Sequence, residues 1–384
     1  MIDITILEQL NAPTKEERLA NLKRIAAETA FPPTVPQYIN NHIHTTYSFS
    51  PYSPTAAVYA ARMEGLCTAG IIDHDSIGGA KEFLEAAKIV GMPVTVGMEC
   101  RVLMKGTSLE KKRTNNPDQI GVSYMTIQSV PHDKIDTMQE FFAPYREARN
   151  RRNKAMTQRI CDAAGVELDY ERDVLPLSQW HDGGAVTERH LMYALAMKLI
   201  GQVGKGEPMI EKLSSMGVEL SEKQKTQMRD LDYPFYAYDL LGILKSAFVP
   251  KIFIDADEEC PLLADVVKLC EEVDAFLCYA YLGDVGESVT GDKKAQKFED
   301  DYLEEVFECL KNAGVKCVTY MPTRNTPQQL ERLRGLCRQY GMFEVSGEDI
   351  NSPRQSFVIK AMENPMFANL IEATWKLIEH EKED

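Results

Sequence analysis

Short apolar runs alternate with longer amphipathic stretches along most of the chain. Val35-Pro36-Gln37-Tyr38-Ile39 leads into Asn40-Asn41-His42-Ile43-His44, and turn residues follow at Ser50-Pro51-Tyr52-Ser53-Pro54, so a strand ends here. Ser53-Pro54 then supplies a cap and a proline at the first helical position, and Ala57, Ala60, Ala61 and Met63 carry a helix to Gly65. A second apolar run, Cys67 to Ile72, ends in Asp73-His74-Asp75. The pattern over 77–90 predicts a helix, and Met92 to Met98 predicts a third strand that ends on Glu99. Strands and helices in this alternation predict a parallel sheet or barrel.

The flanking regions follow the same rules. Thr14 and Glu17 form a capping box for an N-terminal helix, which Pro32, Pro33 and Pro36 stop. Residues 105–118 read as a polar surface loop, and 120–130 alternate like a strand. Helical periodicity dominates 133–250, with breaks at Gly217 and Pro234. Strands are then predicted over 275–281, 315–321 and 342–346, and helices over 300–312 and 328–340. A closing helix over 364–380 is expected to fray into 381–384. The expected division is an N-terminal helical extension (1–37), a first barrel part (38–132), a helical insertion (133–250) and a second barrel part with the last helix (251–384).

Composition narrows the class. The 384 residues are 44% hydrophobic and 26% charged, as in an ordinary globular protein. A net charge of −15 argues against nucleic acid and anionic membranes as partners. Nine cysteines occur without a Cys-x-x-Cys pair, the usage of buried free thiols in a reducing compartment. The N-terminus lacks the features of a signal peptide and no apolar run is long enough for a membrane helix, so the cytoplasm is the expected location.

The chemistry gathers at the strand ends. His42 and His44, at i and i+2, project to one face of a strand, and paired imidazoles there suit a metal. Asp73, His74 and Glu99 end the next two strands; Asp73 and Asp75 could instead cap the following helix. Arg146, Arg149, Arg151, Arg152, Lys154 and Arg159 share one helical stretch, which reads as a phosphate-facing helix or a solvated face. Thr187-Glu188-Arg189-His190 opens a helix, and its Arg-His pair beside free N–H groups suits an anion.

These motifs, in this order, resemble the PHP (polymerase and histidinol phosphatase) superfamily: His42-Ile43-His44-Thr45, then Ile72-Asp73-His74-Asp75, then Gly97-Met98-Glu99. Arg189-His190 with Ala194-Leu195, and Asp349, resemble later elements of the same family. The resemblance implies a distorted (β/α)7 TIM-like barrel with a helical insertion and metal-dependent phosphoester hydrolysis. It implies one complete site, His42, His44, Glu99 and Asp349, for a single Zn, Mn or Fe ion. It also implies a catalytic part for His74, with Asp73 orienting it. Arg189 and His190 would hold a small phosphorylated, possibly nucleotide-like, substrate. The chain departs from the family where Phe49, Tyr281, Asn325 and Asn351 stand at other ligand positions. Those departures leave open a barrel that binds metal or anion without turnover. An accessory polymerase domain is disfavoured by the net charge.

Overall fold

In the computed structural model, which describes residues 2–286 and 296–382, a seven-stranded sheet curls into a nearly closed barrel. Its strands, in spatial as in chain order, are β1 (Val35–Ile43), β2 (Leu66–His74), β3 (Val94–Leu103), β4 (Val122–Gln128), β5 (Phe276–Ala280), β6 (Cys317–Tyr320) and β7 (Phe343–Ser346). Past the end of β7, Ile350 bridges Ile43: its N–H donates to the His42 carbonyl at 3.1 Å, and its carbonyl accepts from His44 N–H at 2.9 Å. The expected distorted TIM-like barrel is therefore observed.

One strand breaks the expected parallel order. β4 runs antiparallel to both β3 and β5. A loop without a crossover helix joins β3 to β4, so the chain must turn back on itself. Tyr124, near the start of β4, thereby reaches the end of the barrel where β1, β2 and β3 finish. Gly97 permits the tight packing of this region, because a Cβ there would run into the Ile127 carbonyl.

Helices α1 (Ile4–Leu10), α2 (Lys15–Glu28), α3 (Pro54–Met63) and α4 (Ala80–Val90) pack on the outside of the first three strands. Ser53 caps α3 through Ala56 N–H at 3.1 Å, as its sequence predicts. α5 (Ile135–Ala164) joins two apolar clusters: Ile135, Met138 and Phe142 pack with the barrel, and Met156 and Ile160 pack in a second cluster. That second cluster is built by α6 (Glu188–Val203), α7 (Glu207–Ser215), α8 (Glu222–Arg229) and α9 (Tyr236–Ile252). β-α alternation resumes with α10 (Leu263–Val273), α11 (Leu303–Ala313) and α12 (Pro327–Tyr340), and ends with α13 (Ala368–His380). No described helix is long and apolar enough to cross a membrane.

The end of α13 differs from expectation. Glu381 is buried and accepts from Val96 N–H at 2.9 Å and from the Thr95 hydroxyl. It anchors the helix rather than fraying; Glu383 and Asp384 lie outside the described residues. The cysteines differ too. Cys278 and Cys317 face each other in the β5–β6 register and form a disulfide, and the other seven are free.

The arginines of α5 are not a phosphate-facing array. Arg149 pairs with Asp75 and with Glu188 (2.7 Å); Arg152 joins Glu188 (2.8 Å) to Glu259 (3.3 Å); Arg101 of β3 pairs with Glu259. Burial alone would raise the Glu188 carboxyl, but Arg149, Arg152 and Arg101 outweigh it and hold it well below the usual range. Asp75 is thus consumed by arginines and does not cap α4. Because Arg101 and Glu259 are both buried, removing one partner leaves an uncompensated charge. Glu259→Ala is expected to cost about 3–5 kcal/mol in urea unfolding.

Candidate metal centre and its cavity

Strand pairing assembles the centre. The β2–β3 register sets His74 opposite Glu99, and the β1–β7 closure sets Asp349 beside His42 and His44. Glu99 Oε2 lies 3.3 Å from His42 Nε2, 3.6 Å from His44 Nε2 and 3.2 Å from His74 Nδ1. His44 Nε2 lies 3.1 Å from Asp349 Oδ1, and the His44 and His74 rings stack at 4.5 Å. Two overlapping groups with metal-competent atoms result, His42–His44–Asp349 and His44–His74–Glu99.

Asp73 does not line the cavity. Its carboxylate accepts from Thr45 N–H (2.7 Å), the Thr45 hydroxyl (2.6 Å) and the Ser48 hydroxyl (2.6 Å). Ser48 Oγ also lies 3.3 Å from His44 Nδ1. Ser48 has one proton, and it goes to Asp73, so its oxygen accepts from His44 Nδ1–H. In the neutral ring that puts the proton on Nδ1 and turns the Nε2 lone pair toward the carboxylates. Asp73 therefore orients His44 through Ser48, not His74 as expected.

These residues fit a divalent ion on three observations. His44 Nε2 is fully buried and makes no well-formed hydrogen bond. The His44 pKa is raised: burial pulls it down, but Asp349, Glu99 and Asp73 outweigh that, so the carboxylates call for positive charge at this point. The donor set of imidazoles and carboxylates suits Zn, Mn or Fe(II). His74, by contrast, is held well below its ordinary value, by burial first and then by His44 and Arg149.

A cavity of about 790 Å³ opens above the cluster, lined by His42, His74, Glu99 and Asp349 and by residues of the helical region. Arg189, at the start of α6, is half-buried in its wall, and no carboxylate pairs with it among the described residues. His190 is elsewhere. Its Nδ1 accepts from Thr187 N–H at 3.0 Å as the helix cap, and Phe49 covers its ring at 4.9 Å. Burial and Arg149 push its pKa down to about 3.

No family model matches the chain, and no curated protein matches it in sequence. Solved structures do match in fold. One is a protein assigned as a metal-dependent phosphoesterase from Bifidobacterium adolescentis: TM-score 0.55, 17% identity, covering 88% of this chain and 98% of that one. Another is an amidohydrolase from Chromobacterium violaceum, solved with sulfate and without metal: TM-score 0.53, 15% identity, covering 84% and 90%. This chain shares their fold.

The four departures from the PHP pattern have visible uses. Phe49 sits in the second apolar cluster against Tyr193 and Tyr238, with a positive φ of 134° that a bulky residue rarely adopts. Such strain costs on the order of 1–3 kcal/mol and is held by the burial of the ring. Tyr281 donates its hydroxyl to Asp300 at 2.6 Å, and Asn325 donates to the Leu282 carbonyl at 2.8 Å. Asn351 donates to Asp349 Oδ1 at 2.6 Å and so pins that carboxylate. Sequence reasoning placed Ser48, with Tyr47, beside the His42–Thr45 motif but gave it no role, and it gave none to Tyr124 or Lys245, which nothing local marks.

Ser48→Ala is expected to weaken metal affinity roughly 10–100-fold, by titration against a chelator, and His44→Ala to abolish binding. The His190 imidazole is expected to stay neutral across pH 5–8 in NMR titration. Its folded pKa of about 3 lies below the unfolded value near 6.5, so this group's stabilising contribution is present above about pH 6.5. It is lost as pH falls toward the folded value, and His190→Gln should flatten that slope.

Proposed function

We propose that the chain is a metal-dependent phosphoesterase of the PHP type, hydrolysing a small phosphoester with a single divalent ion. One observation carries this: an imidazole–carboxylate cluster opens onto a cavity whose wall holds an arginine that makes no ion pair among the described residues. His42, His44, Glu99 and Asp349 would hold the ion. A divalent ion bound there supplies Lewis acidity toward a phosphoryl oxygen and a water.

The chain's own residues do the rest. Arg189 binds the phosphoryl group, since a guanidinium pairs with two phosphate oxygens at once. The His74 imidazole, kept neutral by burial and by His44 and Arg149, lies 3.2 Å from Glu99 Oε2 and takes a proton from the attacking water. The sulfate in the amidohydrolase neighbour is in keeping with an oxyanion ligand. The cavity's size favours a small molecule over a polymer, and the net charge of −15 disfavours nucleic acid. A reducing compartment such as the cytoplasm is part of the proposal, carried by seven free cysteines; the Cys278–Cys317 disulfide weighs against it.

A second reading is a barrel that binds without turnover. It is favoured by the engagement of Phe49, Tyr281 and Asn325 away from the cluster. A panel of phosphomonoesters, cyclic nucleotides and nucleoside bisphosphates, assayed with Mn, separates the two. Phosphate release that Glu99→Gln lowers by roughly 100-fold or more supports the hydrolase. Release no greater than that of the Glu99→Gln variant means the binder.

A further inference from the structure

Lys245 of α9 lines the same cavity as Arg189, half-buried, on a helix that no sequence motif marks. Like Arg189, it has no hydrogen bond or ion pair among the described residues. A lysine removed from bulk water usually recruits a carboxylate. Asp118 lines the same wall and pulls the Lys245 pKa upward, but it does not come within ion-pair distance. Two neighbouring cations without an ion-paired carboxylate among the described residues, in a protein of net charge −15, are held together by the fold against their own repulsion. That repulsion is legible: the Lys245 ammonium is pushed down to about 8, first by Arg189 and then by burial, with Asp118, Glu188 and Asp349 opposing.

We infer that Lys245 and Arg189 form a two-cation grip for a phosphoryl dianion, which selects phosphomonoesters over phosphodiesters. The inference rests on the phosphoesterase reading and adds to it the substrate's charge class. The charges lining the cavity support it. Arg189, Lys245 and Arg324 are balanced by Asp118, Glu99 and Asp349. A divalent ion on the last two then leaves two positive charges uncompensated. A phosphomonoester, with a second pKa near 6, carries about two negative charges at neutral pH. A diester carries one and leaves a cation facing the cavity unpaired. Both cations come from helices of the second apolar cluster, α6 and α9, while the candidate metal ligands come from the barrel.

The test is calorimetric titration of the full-length, metal-loaded protein with inorganic phosphate and, separately, dimethyl phosphate at about pH 7.5. Phosphate is expected to bind more tightly than dimethyl phosphate. Lys245→Met should weaken phosphate at least tenfold, the order of one charge-assisted hydrogen bond, with metal content unchanged. Lys245→Arg should restore most of the affinity, and dimethyl phosphate should be nearly indifferent to either change. If Lys245→Met does not fold, Lys245→Gln serves. Unchanged phosphate affinity in the folded variant overturns the inference, as does an equal loss for dimethyl phosphate. Turnover is read apart from binding: a protein that grips phosphate in this pattern yet hydrolyses nothing keeps the grip and loses the phosphoesterase reading.

Discussion

Two backbone hydrogen bonds decide whether this molecule has a centre at all. His44 N–H to the Ile350 carbonyl, and Ile350 N–H to the His42 carbonyl, close the first strand onto the segment after the last. They bring Asp349 to His44 across three hundred residues of intervening chain. Without that closure the barrel would be an open sheet, and the imidazoles of β1 would face a single carboxylate from β3. The electrostatics depend on the same contact. Asp349 is held well below the usual carboxylate range although burial opposes it, because His44, His42 and Arg189 converge on it.

A second constraint couples the helical region to the barrel. Arg101, Arg149 and Arg152 share Asp75, Glu188 and Glu259 in a buried lattice of alternating charge. Such pairs add little net stability relative to an apolar core, yet leaving any one unpaired is costly. Their use here is geometric. Glu188, gripped by two arginines, is the residue before Arg189, so the lattice sets where α6 begins and where the Arg189 side chain departs. Basic residues that look like a phosphate site along the sequence hold in place a different arginine, one that makes no ion pair among the described residues.

The residues that differ from the PHP pattern have structural work of their own. Phe49, Tyr281 and Asn325 each have a packing or hydrogen-bonding role that a metal ligand at that position would forfeit, and Asn351 holds the Asp349 carboxylate. The arrangement is that of a barrel with one candidate cation position whose surrounding side chains hold its walls.

Much of this was legible in the order of residues. The elements follow from short-range rules: apolar runs for strands, the Thr14–Glu17 and Ser53 caps for helices, and the positions of His42, His44 and His74 at strand ends; Glu99, expected to end its strand, lies within β3, which its pairing with β4 extends to Leu103. Such rules act within a few residues, so a linear reading captures them. It could not capture which charges neutralise one another. Asp75 and the α5 arginines, His190 as a cap facing Phe49, the Ser48 relay to His44, the reversal of β4 and the disulfide between Cys278 and Cys317 all join groups brought into contact by packing. Whether a buried ionisable group is spent on structure or left open to a ligand depends on the partners within a few ångströms of it. For Lys245 and Arg189, only the tertiary fold determines that neither makes an ion pair among the described residues.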